Sequence, residues 1–435
     1  MKLTRRAFLK RGGLALVSVG ATPLWGPSFL QQLVFAAEPV RATNGKKVLI
    51  CIFQRGALDG LSMVVPYGDP HYYEARSDIA IAQPTQSAGP SGVIDLDGFF
   101  GLHPNMAALL PMYQSGHLAL IQACGSPSSS RSHFDAQDFM ECGVVDDKST
   151  RTGWLNRALL ECPEDRAKLS PFRAVSMTAM LPRTLQGDQE ALAIADLKTF
   201  GVGAGAGGFT PSSTTSGAAT GFEGMYQGAV GDLLHGTGKE AFDAIGMLQS
   251  ADPTKYKPQN GASYPNSEFG RALLQIAQMV KANIGVEVAF AEVGGWDTHA
   301  NQGGATGQLA NRFTDFSHSL AALYQDLGDR MNDVVVVTMS EFGRTVRQNG
   351  NRGTDHGHAT CFTVMGGPVR GGKVYGQWPG LAREQLFEGR DLMLTTDYRD
   401  VFAELAQNHL GARDVGQIFP NHRVNPDNYQ GLLSV

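Results

Sequence analysis

Two short segments of the sequence carry side chains of the kinds that bind transition metals. Asp297-Thr-His299 places a carboxylate and an imidazole two residues apart, and Asp355-His356-Gly-His358 places a carboxylate beside two imidazoles. Histidine nitrogens combined with carboxylate oxygens suit Zn, Mn or Fe better than Ca, which prefers oxygen ligands alone. The alternative for each segment is a loop held by ordinary hydrogen bonds. We interpret all five residues as candidate ligands of one or two divalent metal ions.

A serine-rich loop that ends at Ser132 holds the candidate nucleophiles. Ser130 and Ser132 precede a predicted helix, and Arg131 lies between them. A hydroxyl at a helix start suits attack on an anionic ester, because the backbone N–H groups there point outward. A nearby metal would lower the pKa of that hydroxyl, and Arg131 would steady the oxygens of the ester. The alternative is that either serine simply caps the helix.

Asp59 and Glu341 add two carboxylates at comparable places. Asp59 follows the first apolar run after the N-terminal region, and Glu341 follows a later run, three residues before Arg344. We interpret the two carboxylates as further metal ligands and Arg344 as a second cation for an anionic substrate. Asp59-Gly60 also fits ordinary turn chemistry, and Glu341 with Arg344 also fits a surface ion pair.

Five continuous apolar runs predict the strands that would position these residues, since such runs are typical of strands covered on both faces of a parallel sheet. The runs are Lys47–Phe53, Leu118–Ala123, Val286–Val293, Val334–Met339 and Cys361–Met365. Helical patterns occur at Asn105–Gln114, Asp135–Glu141, Ser267–Ala282 and Gly307–Leu327. This alternation predicts an α/β fold with a mostly parallel central sheet and helices on both faces.

Four of these strands are followed directly by candidate residues. Ligands of open α/β sheets gather beyond the carboxyl ends of the strands, so residues that follow several strands meet at one edge. Asp59, the serine loop, Asp297 and Glu341 each follow one strand, and residues 355–358 come shortly after the last of these. This co-occurrence, rather than any single motif, predicts a shared metal site.

The N-terminal residues resemble a twin-arginine export signal. An Arg5-Arg6 pair stands in a basic head, and a modestly apolar stretch, Gly13–Phe35, leads to two alanines that suit a signal peptidase. Prolines and glutamines make the stretch a poor membrane span. We expect residues 1–37 to be a signal read by the Tat translocase, and residues 38–435 to work in the periplasm or outside the cell. Tat substrates cross already folded, often with metal loaded, which favours a metal site.

Composition limits the classes of function. Loss of the signal deletes five basic residues and no acidic one from the 36 basic and 41 acidic residues of the chain, which leaves a formal net charge of −10. A protein this acidic is a poor binder of nucleic-acid backbones. The five cysteines show no paired short spacing, which leaves room for one disulfide and indicates no zinc ribbon. We expect a single domain with an insertion at about 165–265, whose small-residue stretch Gly201–Gly224 is either a disordered linker or a substrate lid.

Five motifs resemble those of a bacterial family called domain of unknown function 1501. They are Arg55-Gly-Ala-Leu-Asp-Gly60, Ser130-Arg-Ser-His-Phe-Asp-Ala-Gln-Asp138, Gly294-Gly-Trp-Asp-Thr-His299, Ser340-Glu-Phe-Gly-Arg344 and Asp355-His-Gly-His358. They span essentially the whole mature chain and are specific. That family has been grouped with the alkaline phosphatase and sulfatase superfamily. The resemblance therefore implies an alkaline phosphatase/sulfatase-like fold and a metal-dependent hydrolase of phosphate or sulfate esters.

The superfamily resemblance implies a role for most of the candidates. The matching positions are Asp59 after the first strand, Ser128–Ser132 at the start of the catalytic helix, Asp297 with His299 as a late ligand pair, and His356 or His358 as the final ligand. Glu341 stands where an aspartate is usual, Phe342 stands where its histidine partner is usual, and the sulfatase motif Cys/Ser-x-Pro-x-Arg is absent as such. One of two metal positions is therefore altered. A single-metal enzyme, a site shifted to residues 355–358 and an inactive relative all stay open.

Three classes of function follow from these observations. The clustering at strand ends favours a metal-dependent hydrolase acting on a small-molecule or glycan ester. The alternative is a catalytically inactive relative that acts as a binding or assembly protein at the cell surface, which Phe342 supports. A metal-dependent mutase or transferase is the third, because the superfamily includes phosphosugar mutases.

Overall fold

A nine-stranded sheet forms the centre of the part of the chain that the structure, a computed structural model, describes: residues 47–84, 91–162, 170–197 and 255–434. The strands are β1 (Val48–Gln54), β2 (Val64–Val65), β3 (Ile94–Asp95), β4 (Gly101–Leu102), β5 (Leu118–Gly125), β6 (Ala174–Ser176), β7 (Leu192–Ala193), β8 (Val288–Val293), β9 (Val334–Met339), β10 (Thr360–Gly366), β11 (Lys373–Tyr375) and β12 (Thr396–Asp397). The order across the central sheet is β11-β5-β10-β9-β1-β8-β6-β7, and β12 also pairs with β5. Strands β2, β4 and β3 form a separate small sheet.

Helices of the described residues lie between the strands. They are α1 (Gly60–Met63), α2 (Pro70–Ala75), α3 (Leu110–Gln114), α4 (His133–Cys142), α5 (Trp154–Glu161), α6 (Glu268–Lys281), α7 (Gln308–Leu327), α8 (Tyr398–Leu405) and α9 (Val415–Ile418). Short 3₁₀ segments occur at Pro104–Leu109, Arg183–Leu185, Gly328–Asp333, Arg383–Gln385 and Pro426–Asn428, and α8 continues into a π-helical turn, Ala406–Leu410. The five predicted strands and the four predicted helical segments are confirmed.

The two faces of the central sheet are both covered by helices. Alternate residues of β1 divide between them: Val48, Ile50 and Ile52 pack in one core with side chains of α6 and α7. Leu49, Cys51 and Phe53 pack in the other core with side chains of α5 and α8. Because every β1 side chain is buried, the strand reads as a continuous apolar run instead of an alternating one. The predicted α/β class, with helices on both faces, is confirmed.

Helix α7 illustrates how the sequence produces one of these layers and fixes a loop. Its large buried apolar residues recur at intervals of three and four, which places them on one face of a helix. They are Leu309, Phe313, Phe316, Leu320, Leu323 and Leu327. Gly307 (φ +116°) precedes the helix and Gly328 (φ +51°) ends it, both in backbone conformations that glycine adopts with least strain. The first turn also holds the preceding loop, because the Leu309 N–H donates to the Gln302 carbonyl over 3.1 Å.

The direction of β10 decides where the polar segments meet. Strand β1 runs parallel to both β8 and β9, whereas β10 runs antiparallel to both β5 and β9. The amino end of β10 therefore lies at the same edge as the carboxyl ends of the parallel strands. Residues 355–358, which precede β10, and residues 340–344, which follow β9, continue the pairing through hydrogen bonds such as Gly343 N–H to the His358 carbonyl (2.7 Å). The predicted convergence thus depends on one antiparallel strand.

The predicted insertion, 165–265, contains two strands that the sequence pattern did not predict. Strands β6 and β7 fall inside it and extend the central sheet beyond β8. They are three and two residues long, too short to give an apolar run that sequence reading detects. Most of the remaining interval, including Gly201–Gly224, lies outside the described residues, as does the predicted export signal, 1–37. The insertion and the signal stay predictions.

The cysteines and the hydropathy of the helices agree with a folded α/β domain. No disulfide joins the five cysteines, all of which lie in the described ranges, and Cys51, Cys124, Cys142 and Cys361 are buried. Burial raises the pKa of the Cys51 and Cys361 thiols well above their usual range, which keeps them protonated and unreactive. None of the helices in the described ranges combines the length and hydropathy that crossing a bilayer requires.

The buried histidine His103 predicts a loss of stability in acid. Its Nδ1 accepts the Asn105 N–H (3.1 Å), its Nε2–H donates to the Gly304 carbonyl (3.2 Å), and the side chain is fully buried. Burial lowers the pKa of the ring from 6.5 to about 4. The neutral ring therefore contributes stability above pH 6.5, and that contribution is lost as the pH falls toward 4.

We expect His103 alone to lower the free energy of unfolding by about 3 kcal/mol between pH 7 and pH 4. His103→Asn keeps an acceptor for the Asn105 N–H but does not titrate, so its stability should fall less steeply with acid. Urea unfolding at pH 7, 5.5 and 4.5 measures both slopes. Equal slopes for the two proteins would contradict the prediction.

Candidate metal centre

Four ligand-bearing side chains from three separate parts of the chain meet at the edge of the sheet; we call His133, Asp297, His299 and His356 the His–Asp cluster. One ligand atom from each of His133, Asp297 and His356 lies within 4.8 Å of the others. His299 joins them, because its Nε2 is 2.9 Å from Asp297 Oδ1 and 3.0 Å from His356 Nε2. The His356 Nε2 is 3.3 Å from the same Asp297 oxygen.

The sheet topology explains why these residues meet. His133 is the first residue of α4, the helix that follows β5. Asp297 and His299 lie in the loop after β8, and His356 lies just before β10. Since β10 is antiparallel, all three positions fall at the edge where the carboxyl ends of the parallel strands lie.

Each histidine of the cluster is oriented by an acceptor on its other ring nitrogen. The three Nδ1 atoms lie beside groups that can only accept a hydrogen bond, so each Nδ1 carries the proton. The pairs are His133 with Glu341 Oε1 (2.8 Å), His299 with Asp355 Oδ1 (2.9 Å) and His356 with the Arg131 carbonyl (2.8 Å). In its neutral form each ring therefore presents the lone pair of Nε2. This is the arrangement in which protein histidines bind metal through Nε2.

One of the facing nitrogens, His133 Nε2, lacks a hydrogen-bond partner among the described residues, and the other two are crowded together. His133 Nε2 is buried, makes no hydrogen bond to any described residue and lies 3.5 Å from Asp297 Oδ2. The Nε2 atoms of His299 and His356, 3.0 Å apart, repel each other when both rings are neutral. Burial lowers the pKa of His356, which favours its neutral form over a shared proton. Ligand atoms around tetrahedral Zn²⁺ lie about 3.3 Å apart, given Zn–N distances of about 2.0–2.1 Å. The donor set therefore fits a divalent transition metal.

Glu341 is a buried acid that contacts His133. Its side chain is fully buried, and its Oε1 accepts the Gly56 N–H (2.8 Å), the Gln137 amide (2.9 Å) and the His133 ring. Burial acts to raise the pKa of Glu341, but these hydrogen bonds outweigh it and hold the pKa below its usual range. The bond to the Glu341 carboxylate also raises the pKa of His133, which makes the ring a stronger ligand. Glu341, which we predicted to bind metal itself, thus orients the candidate ligand His133.

Phe342 forms an apolar wall behind the histidines. It is 3% exposed, and its ring lies 5.0 Å from that of His133, nearly parallel to it, and 5.1 Å from that of His356. Ala57 and Ala136 complete this small apolar cluster. A wall of this kind excludes water from one side of the site and restricts ring rotation. The residue that replaces the usual histidine therefore supports the His–Asp cluster.

Arg344 orients Asp297, and Asp355 orients His299. The site opens to solvent at Asp297 and His299. The buried Arg344 guanidinium donates to Asp297 Oδ1 over 2.7 Å. Burial acts to raise the pKa of Asp297, and the ion pair with Arg344 outweighs it and lowers that pKa. The bond from His299, with a second from Asn349 (3.0 Å), lowers the pKa of Asp355. The side chains of Asp297 and His299 are 43% and 44% exposed, so a ligand from solvent can reach them.

Three of the predicted site residues have other partners. Asp59 is 1% exposed and pairs with Arg76 over 2.7 Å, outside the His–Asp cluster. The buried His358 ring is stacked on Phe387, with ring centres 4.1 Å apart. The Arg131 side chain, predicted to steady an ester, is instead neutralised by two carboxylates, Asp391 (2.7 Å) and Glu388 (2.6 Å), while its carbonyl orients His356.

The two candidate nucleophiles of the serine loop, Ser130 and Ser132, differ in their hydrogen bonds. Successive N–H groups donate to the hydroxyl two residues before them: Ser128 to Ser126, Ser130 to Ser128 and Ser132 to Ser130, at 3.2–3.3 Å. The Ser130 hydroxyl is thus used by the loop. Ser132 stands at the N-cap of α4, but its side chain makes no capping bond. Both of its neighbours, Arg131 and His133, contact the His356 ring.

Sequence reading missed His133 as a ligand and Gln137 as its neighbour on Glu341. His133 directly follows Ser132 in the strand-end loop that holds the candidate nucleophiles, so the signal was present. The superfamily pattern directs attention in that loop to a hydroxyl. A histidine at the first position of a helix, four residues before Gln137, places both side chains on one helix face toward Glu341.

The sequence and the structure were compared with known proteins. No curated protein matches the sequence significantly. One similar solved structure is the crystal structure of the phosphonate monoester hydrolase of Agrobacterium radiobacter, with 10% sequence identity and a TM-score of 0.32, covering 88% of this chain and 79% of that chain. A likeness with this TM-score supports no statement about the chemistry here. The sequence matches the family described as "Protein of unknown function (DUF1501)" over residues 46–419, and the chain belongs to that family.

Proposed function

We propose that the protein is an exported, metal-dependent hydrolase of phosphate or sulfate esters. The observation that carries the proposal is the His–Asp cluster, in which three Nε2 lone pairs, each fixed by an acceptor on Nδ1, face one carboxylate. The export address rests on the Arg5-Arg6 segment of the sequence. The substrate would be a small-molecule or glycan ester.

Divalent Zn, Mn or Fe bound there would neutralise developing negative charge and lower the pKa of a nearby hydroxyl or water. Neighbouring side chains of the protein would hold the ligands of that metal in position. Glu341 and Asp355 hold two of the rings, and Arg344 holds Asp297. The two arginines predicted to bind the substrate, Arg131 and Arg344, are already paired with carboxylates, so the charge of an anionic substrate would fall mainly to the metal. One metal position is supported, since a single group of this kind occurs among the described residues.

The structure weakens the case for an inactive binding protein. That alternative rests on Phe342 in place of a ligand histidine. Because Phe342 packs against His133 and His356, the substitution is compatible with an intact set of ligands. We therefore favour the hydrolase.

Turnover by metal-loaded, Tat-exported protein tests the proposal. We expect hydrolysis of at least one member of a panel of aryl phosphate monoesters, diesters and sulfates, lost in chelator and restored by Zn²⁺ or Mn²⁺. Phosphate transfer to an added acceptor in place of water would indicate a transferase instead. Full metal occupancy without turnover of the panel would refute the hydrolase.

Ser132 is our candidate nucleophile, because its hydroxyl makes no capping hydrogen bond and because its two neighbours, Arg131 and His133, both contact His356. We expect Ser132→Ala to lower kcat/KM by at least about 10²-fold with metal content unchanged. Ser130→Ala, which removes a hydroxyl already used by the loop, is the matched control and should stay within about threefold of wild type. The opposite ranking would assign the attack to Ser130, and full activity in both would assign it to water.

A further inference from the structure

The buried carboxamide of Gln302 lies at the centre of a hydrogen-bond network behind the His–Asp cluster. The side chain is 0% exposed. Its Oε1 accepts the hydroxyls of Thr298 and Thr354, each over 2.8 Å. Its Nε2 donates to Asp59 Oδ2 over 2.6 Å and to the Ser62 hydroxyl over 3.3 Å. Both lone pairs and both hydrogens of the carboxamide are thereby used, which fixes its orientation.

The two threonines belong to the two loops that carry ligands. Thr298 lies between Asp297 and His299, and it is 2% exposed. Thr354 is fully buried and stands two residues before His356. A backbone bond from Thr354 N–H to the Thr298 carbonyl (3.1 Å) joins the same loops, so Gln302 holds the side chains where the backbones already meet.

Thr354 also connects the carboxamide to Asp297. The Arg344 guanidinium donates through Nε to the Thr354 hydroxyl (3.2 Å) and through Nη2 to the Thr354 carbonyl. The same guanidinium donates through Nη1 to Asp297 Oδ1. A shift of Thr354 would therefore move the arginine that orients the carboxylate ligand.

The other end of the network is anchored by a buried ion pair. Asp59 Oδ2 accepts from Arg76 Nη1 over 2.7 Å, and Arg76 also donates to the carbonyls of Thr345 and Val346. Thr345 directly follows Arg344, so the anchor holds the segment on which that arginine stands. Asp59 thus anchors the network near the carboxyl end of β1.

We propose that Gln302 is a positioning residue for the metal centre, which sets the spacing between the ligand segments 297–299 and 354–356 through the Thr298 and Thr354 hydroxyls. The inference rests on the proposed metal binding. Metal geometry tolerates displacements of only about 0.5 Å, so a network that fixes both loops acts directly on affinity. Nothing in this role requires Gln302 to touch metal or substrate.

Isosteric variants separate hydrogen bonding from packing. Thr298→Val and Thr354→Val remove each hydroxyl and keep the volume, whereas Thr298→Ser and Thr354→Ser keep the hydroxyl and lose a methyl. Gln302→Leu removes all four bonds. The matched control is Thr363→Val in β10, because Thr363 is 1% exposed and its hydroxyl has no partner among the described residues. Each chelator-treated protein is titrated calorimetrically with Zn²⁺, and thermal unfolding without metal reports its stability.

We expect Zn²⁺ affinity to fall about tenfold in each Thr→Val variant and up to about 100-fold in Gln302→Leu. The two Thr→Ser variants and Thr363→Val should bind as wild type does. Wild-type affinity in both Thr→Val variants would overturn the positioning role, whether or not Gln302→Leu folds. Equal losses in the Ser and Val variants would also overturn it, because packing would then be the cause. Absence of Zn²⁺ binding by wild type would instead refute the proposed function.

Discussion

Asp297→Asn is expected to empty the metal centre. The Asp297 carboxylate faces all three Nε2 atoms of the His–Asp cluster, through Oδ1 to His299 and His356 and through Oδ2 to His133. A neutral carboxamide keeps the volume and a carbonyl oxygen for the Arg344 bond but removes the charge. We expect a loss of Zn²⁺ affinity beyond the roughly 10- to 100-fold typical of residues that merely orient a ligand, and hydrolysis reduced by at least about 10³-fold.

A surface aspartate provides the control for that experiment. Asp333 pairs with Arg330 on a 3₁₀ segment, so Asp333→Asn removes a carboxylate that does not belong to the cluster. Elemental analysis of both purified variants measures metal per chain. Unchanged metal in Asp297→Asn would show that this carboxylate is not a ligand.

Glu341→Ala is expected to weaken both metal binding and the fold. The Glu341 carboxylate satisfies the Gly56 N–H, the Gln137 amide and the His133 Nδ1–H at once. Its removal leaves these donors unpaired and lets His133 take the tautomer whose Nε2 carries a proton and cannot bind metal. We expect the free energy of unfolding to fall by about 3 kcal/mol and Zn²⁺ affinity to fall about 10- to 100-fold.

Glu341→Gln separates the charge of that residue from its hydrogen bonds. The carboxamide oxygen can still accept at the Oε1 position, so this variant should keep most of the stability while His133 becomes a weaker ligand. Urea unfolding and calorimetric Zn²⁺ titration measure the two effects independently. Wild-type affinity in the alanine variant would show that Glu341 does not orient a metal ligand.

Sequence patterns located the edge of the sheet where the site lies. The runs that became β1, β5, β8, β9 and β10 are fully or largely buried, and burial on both faces is what makes a strand recognisable as a continuous apolar run. The direction of β10 could not be inferred, because a buried antiparallel strand has the same pattern as a parallel one. The segments at 297–299 and 355–356 do meet at this edge, as predicted, but the second segment lies there because β10 is antiparallel, which the strand-end rule did not predict.

The depth of each residue at that edge could not be predicted. Glu341 and His133 are both plausible ligands by type, but only packing shows that the carboxylate lies behind the ring and is fully buried. Asp59 is neutralised by Arg76, 17 residues further along the chain, and no local pattern announces that pairing. His358 resembles His356 in sequence, yet the ring of His358 is stacked on Phe387. The position of a residue after the carboxyl end of a strand indicates the edge at which it lies, whereas its contacts are made with distant segments of the chain.

Anomalous X-ray scattering at the absorption edge of the bound metal tests the central claim most directly. Crystals of the Zn²⁺-loaded protein should show an anomalous peak at about 2.0–2.2 Å from the Nε2 atoms of His133, His299 and His356 and from a carboxylate oxygen of Asp297. Absence of a peak there, with His299 and His356 joined through a shared proton across their 3.0 Å separation, would contradict the account.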